Sequence, residues 1–229
     1  MIKINKKGQG LIEVITAIYV IVIGLLSIMN LVVFNIQLGG LNNDILVASN
    51  LAREGVEVVR NVRDGNWLSG ISWDNNLVFP DDITPLNESN PKNSFYIYNN
   101  YLYGSEFSYS ILPTGISLAK CMSDQSPICK LGIIKKQGSP NIKFYDILGS
   151  NNSSNIESSH FYRIIYINEI CLVNADPNNY QEIIKSGFKQ HCSSDGYSKI
   201  GIQVISSVSW NYSFGTKKIE VEDRFYNWK

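Results

Sequence analysis

Few residues in this chain could do chemistry. Its two histidines, His160 and His191, stand in no recognisable base or metal-ligand motif, and no G-x-S-x-G, H-E-x-x-H or P-loop pattern occurs. His160 opens a strand-like run, where an imidazole at the edge of a sheet is the plainer reading. The segment NADPNNYQE carries Asp176, Asn178 and Glu182, oxygen donors of the kind Ca²⁺ takes. It lacks the spacing of a calcium loop, and an Asx-rich turn accounts for the same composition. Calcium at these residues is the one cofactor the sequence offers, and no enzymatic activity is expected. The four cysteines, Cys121, Cys129, Cys171 and Cys192, allow three disulfide pairings. Short loops rich in turn formers favour Cys121–Cys129 and Cys171–Cys192, each adding about 2–4 kcal/mol. A zinc site would lean on the His191–Cys192 adjacency, but there is no C-x-x-C, so disulfides are preferred. The remaining anomaly is a carboxylate, Glu13, in an apolar stretch.

That stretch sets the organisation of the chain. Lys3, Lys6 and Lys7 precede Gly8, Glu13 follows five residues later, and the next charge is Asp44. Residues 14–34 are apolar except for Thr16, Gly24, Ser27 and Asn30. At ~1.5 Å per residue the run reaches roughly 30 Å, the thickness of a bilayer's hydrocarbon core. It is longer than the ~7–15-residue apolar core of a secretory signal and has no A-x-A-like end. A membrane helix is expected, with the lysines inside and the rest of the chain outside. A carboxylate costs about 2.5–3.5 kcal/mol at the bilayer centre, less near the interface. An arriving cation would offset that cost. A plain uncleaved anchor would instead let Glu13 snorkel to the interface.

The order of basic residues, Gly8, Glu13 and a long apolar run resembles the prepilin leader of type IV pilins and of type II secretion pseudopilins. The resemblance implies a cut by prepilin peptidase between Gly8 and Gln9 on the cytoplasmic side, and methylation of the new amine on Gln9. It also implies an assembly role for Glu13, which would meet the amine of a neighbouring subunit. Gln9 departs from the family, which usually has Phe or Met there.

Beyond residue 34 the chain reads NIQLGGLNNDILVASNLAREGVEVVRNVRDGNWL. Gly39 and Gly40 each cost a helix interior about 1 kcal/mol relative to alanine, so a bend or melted turn is expected there, with helix resuming by Asp44. Ala48, Leu51, Ala52, Gly55, Val58, Val59 and Val62 then recur at three- and four-residue spacing, one apolar stripe. Arg53, Glu57, Arg60 and Asp64 form a charged row on another face, worth ~0.2–0.5 kcal/mol per pair. That row suits either a solvated face or contacts between subunits. Gly65 and Asn66 read as the helix stop. Prolines at 80, 85 and 91 make the following stretch irregular. Strand-like runs follow: FYIY, FSYSIL, IKFYDIL, FYRIIYI, IGIQVISSVSW and KKIEVEDRFYNW. The last two flank NYSFGT, whose Gly215 suits a hairpin turn. The expected fold is α+β, a long N-terminal helix on an antiparallel sheet. The expected segments are a leader (1–8), a membrane or filament-core helix (9–34), its amphipathic continuation (35–66) and an extracytoplasmic head (67–229).

Charge balance narrows the partners. Lys+Arg and Asp+Glu are both 20, so no strong field draws the chain to nucleic acid. With the resemblance, the expectation is a structural subunit of a type IV pilus-like filament. A major pilin, a minor pilin with an adhesive head and a secretion pseudopilin all fit, and the loop-rich head tilts the choice to a minor subunit. Its partners would be prepilin peptidase, sister subunits and the inner-membrane assembly platform. The location would be the cytoplasmic membrane, then an extracellular filament or a periplasmic pseudopilus. The rival is a monomeric, membrane-anchored domain that binds a ligand or acts as an enzyme.

Overall fold

The structure, a computed structural model, describes residues 6–79, 93–100, 108–135, 143–147, 156–174, 180–212 and 215–227. It is α+β, with helix α1 (Lys6–Leu68) followed by an antiparallel sheet. The contacts divide the chain into two units, Met1–Leu46 and Val47–Lys229.

The described residues of the first unit are all helix. Every large apolar side chain from Leu11 to Ile36 is at least 46% exposed. The most apolar stretch has a mean hydropathy of 2.6 with none of it buried. Thr16 Oγ1 donates to the Glu13 carbonyl and Ser27 Oγ to the Ile23 carbonyl, both at 2.9 Å. These hydroxyls are thereby satisfied inside the helix and ask nothing of the surroundings. The expected melted turn at Gly39–Gly40 is absent, because helix runs through both. Each residue added to a formed helix gains a backbone hydrogen bond for the freedom it loses, and that gain offsets two glycines.

The second unit is organised by strand β5 (Ile156–Asn174), flanked on both sides by antiparallel partners. Along one edge lies β7 (Ser198–Tyr212), in register from Phe161↔Trp210 to Leu172↔Ser198. Outside β7 lies β8 (Gly215–Tyr226), running from Tyr212↔Gly215 to Gly201↔Tyr226. Gly215 has φ +114°, a conformation that favours glycine. The other edge of β5 is shared by three strands: β3 (Lys130–Lys135), β1 (Ser94–Asn100) and β6 (Gln181–Lys185). Outside these, β4 (Lys143–Ile147) pairs with β3 and β2 (Ser108–Pro113) pairs with β1.

The two faces of β5 have different covers. Ile165 and Ile167 join Ile202, Val204 and Phe225 against Val56, Val58 and Val59 of α1. Tyr162 and Ile164 on the other face meet Ile116, Leu118, Cys121 and Cys129, which belong to the short helix α2 (Leu118–Ser123) and its surroundings. The Ser117 side chain caps α2 by accepting the Lys120 N–H.

The end of α1 differs from expectation. Gly65 is an exposed helical residue, and the stop is Gly70, with φ +70°. Gly70 N–H donates to Trp67 O and Ile71 N–H to Asn66 O, both at 3.1 Å, the bonds of a Schellman cap. Asn66 is buried, and its Nδ2 donates to the carbonyls of Trp73 (3.2 Å) and Asn75 (2.8 Å). It pins the next loop rather than ending the helix.

Candidate functional site

On the helix, Gly8 and Gln9 lie within α1. Glu13 is exposed, among exposed apolar side chains. Among the described residues from Gly10 onward its carboxylate has no ion-pair partner.

On the head, the upper helix is fixed by charge as well as by the apolar stripe. Glu54 Oε2 lies 3.1 Å from Arg163 Nη1 on β5, and Arg163 is buried. Arg60 bridges Glu57 (2.6 Å) and Asp223 of β8 (2.7 Å). Asp64 accepts from Arg63 at 2.8 Å, so three of the four residues of the charged row are committed within the chain, while Arg53 is exposed. Arg63, outside the expected stripe, is buried with its guanidinium 4.6 Å from the centre of the Phe225 ring. Val56 is a further core residue that the stripe omitted.

A cleft of about 420 Å³ opens between the loop after α1 and the β5–β7 pair, lined by Val78, Phe79, Glu169, His191, Cys192, Ser193, Tyr197 and Lys199. Its floor is a polar network. The Glu169 carboxylate accepts the Cys192 N–H at 2.8 Å and lies 3.2 Å from both His191 Nδ1 and Lys199 Nζ. Lys199 also bonds Asp74 at 2.7 Å and stands 5.5 Å from the centre of the Trp73 ring. Burial raises the Glu169 carboxyl, but the Cys192 N–H, the Lys199 charge and His191 outweigh it, so its pKa lies below the ordinary value. Burial likewise raises Asp74, and hydrogen bonds from Lys199 and Ser72 bring it below normal. Both groups are therefore anions at neutral pH, and Lys199 is shared between them.

Both favoured cysteine pairs are joined, Cys121–Cys129 with Cα atoms 6.2 Å apart and Cys171–Cys192 with 5.4 Å. Of the calcium candidates, Asp176 and Asn178 lie outside the described residues. Glu182 is engaged by two tyrosines, with Tyr180 donating at 2.7 Å and Tyr226 at 3.1 Å. His160 lies in β5 one residue before the pairing with β7 begins at Phe161, and at the irregularity in the pairing with β3, so it stands at the rim of the sheet. It is exposed, with its ring 4.2 Å from that of Phe161.

The network of Asp74, Glu169, His191 and Lys199 was not foreseen as a unit. One signal was available, a lone acid inside the apolar strand IIYINEICLV. Burying such a group demands partners, though the sequence does not say which ones. Comparison with protein-family models, with curated proteins and with solved structures finds no match to this chain.

Proposed function

We propose that this chain is a pilin-like structural subunit, processed after Gly8 and assembled through its N-terminal helix, with no enzymatic role. One observation carries the reading. The Gly8–Glu13 arrangement heads a helix whose apolar side chains, from Leu11 through Ile36, are all largely exposed. Leaving such a surface in water costs about 25 cal/mol per Å², so it requires lipid or sister helices. Lipid serves before assembly and sister helices serve in a filament. Glu13 then sets the register by pairing with the methylated amine of the next subunit.

The head, closed by two disulfides and with no internal repeat, favours a minor subunit whose head faces solvent and makes adhesive contacts. A secretion pseudopilin would use the same leader and helix. The head cleft does not favour an enzyme, since its carboxylate, Glu169, is bonded to Lys199, which also holds Asp74.

Intact-mass spectrometry of the chain from its native envelope tests the proposal. A chain beginning at Gln9, with or without one methyl group, is expected. Retention of residues 1–8 in every fraction would refute it and leave a plain anchor. Gly8→Ala is expected to leave the chain uncut in the membrane. Glu13→Ala is expected to permit cutting but impair assembly, and normal filaments from that variant would remove the role given to Glu13.

A further inference from the structure

The surroundings of the Cys171–Cys192 pair contain more donor chemistry than a disulfide uses. One Glu169 carboxylate oxygen and the two sulfurs all lie within 4.8 Å of one another, and all three residues are buried. Glu169 and Cys171 are two residues apart on β5. The 3-10 turn Cys192–Asp195 brings Cys192 to them, held by its own N–H on Glu169.

We propose that the reduced, dithiol form of this pair is a Zn²⁺ site, with Cys171, Cys192 and Glu169 as ligands and a water from the cleft as the fourth. The same loop would then be closed by a metal in the reduced chain and by a disulfide in the oxidised one. A phosphine or thiol reductant supplies two electrons, and with two protons the S–S bond becomes two thiols. Zn²⁺ binding releases those protons as the thiolates form.

Zn–S bonds of about 2.3 Å place two tetrahedral thiolates about 3.8 Å apart. The two Cα atoms are 5.4 Å apart, and rotation about the Cα–Cβ bonds is the motion that would open the sulfurs to that separation. Three anionic ligands leave the site with one net negative charge. Lys199, 3.2 Å from Glu169, faces that charge and shares itself with Asp74. His191, 3.2 Å from a Glu169 oxygen, orients the carboxylate. Mixed sulfur and oxygen donors in a closed, partly apolar setting suit Zn²⁺ over Ca²⁺ or Mg²⁺. The Cys121–Cys129 pair provides the internal contrast, since it sits among Ile116, Leu118, Tyr162 and Ile164. Among the described residues no third donor joins it.

The test uses the full chain in detergent, reduced with a phosphine and desalted without oxygen, with Co²⁺ as the spectroscopic probe and Zn²⁺ as its competitor. One Co²⁺ per chain is expected, with thiolate-to-cobalt charge-transfer absorption that Zn²⁺ abolishes. The Cys121→Ser/Cys129→Ser variant should keep the signal and Cys171→Ser/Cys192→Ser should lose it. Glu169→Gln should weaken Zn²⁺ binding at least about tenfold, since loss of even a supporting partner does as much. Four titratable thiols, an unchanged far-ultraviolet circular dichroism spectrum and no cobalt band would overturn the proposal. If reduction unfolds the head, Zn²⁺ should restore the spectrum, and failure to do so overturns the proposal equally.

Discussion

Replacing Gly55 with alanine sets the preference of the helix against its packing. Alanine in a helix interior is worth about 1 kcal/mol over glycine. A Cβ at Gly55, however, would collide with Ser206 Oγ, stand 3.0 Å from Ser206 Cβ and 3.4 Å from Ile165 Cδ1. Both serine atoms belong to a side chain that is fully buried on β7, so neither moves away freely. An extra methyl in a packed layer costs about 1–3 kcal/mol, which leaves Gly55→Ala neutral to about 2 kcal/mol destabilising. Gly65 supplies the reference, because it is helical and exposed, and a Cβ there meets nothing within 4 Å. Gly65→Ala should therefore stabilise by about 0.5–1 kcal/mol. The difference between the two substitutions isolates the contact, about 1–3 kcal/mol. Guanidinium unfolding of the full chain in detergent, followed by tryptophan fluorescence, measures both. In a double-mutant cycle, Ser206→Gly should recover most of the loss in Gly55→Ala. If both alanines stabilise equally, α1 does not rest on β7 at Ser206 and the helix–sheet packing described above is wrong.

Two further outcomes follow from the head. Asp74 and Glu169 are more acidic folded than unfolded, so their contribution is complete above unfolded values of about 3.9 and 4.3. It is lost as pH falls through the lower folded values. The head should therefore lose stability below about pH 4, and Lys199→Met should move the acid-unfolding midpoint upward, as read by tryptophan fluorescence against pH. An unmoved midpoint would mean that Lys199 does not hold these carboxylates. Asn66→Ala should destabilise by about 1–3 kcal/mol through two stranded loop carbonyls and speed proteolytic cutting between residues 71 and 79. Unchanged cutting would show that the loop is held elsewhere.

What was legible in the sequence was whatever local pattern alone decides. The apolar run with its single Glu13 marked the exposed helix, and Ala48 through Val59 marked its buried continuation. Aromatic and β-branched runs marked β1, β2, β4, β5, β7 and β8. KLGIIK and QEIIK were not read as strands because both are short and carry polar ends. They exist as β3 and β6 through pairing with the far edge of β5, and a local pattern does not contain that edge. LAKCMS is too short for helical periodicity to show. Gly65 and Asn66 read as the stop, but the helix ends at Gly70, and Asn66 instead bonds a loop seven to nine residues on. The cleft network joins residues 74, 169, 191 and 199, a spread that no spacing rule reaches.

The seating of the upper helix shows why its apolar stripe alone could not specify the head. Ala48, Ala52 and Gly55 are fully or nearly fully buried, but small side chains remove little area from water, so they contribute closeness more than adhesion. A smooth surface of small residues also tolerates sliding by a turn. Arg163 removes that freedom. Its Nη1 lies 3.1 Å from Glu54 Oε2 and 3.3 Å from the Leu51 carbonyl, and slipping would leave a buried guanidinium without a partner. Stranding one member of a buried pair costs about 3–5 kcal/mol, less here because the Glu54 side chain is 35% exposed. Arg60 on Asp223 and Asn66 on the following loop repeat the constraint at two further points along the helix. Small residues let α1 approach the sheet, and the polar pins decide where along it the helix stops.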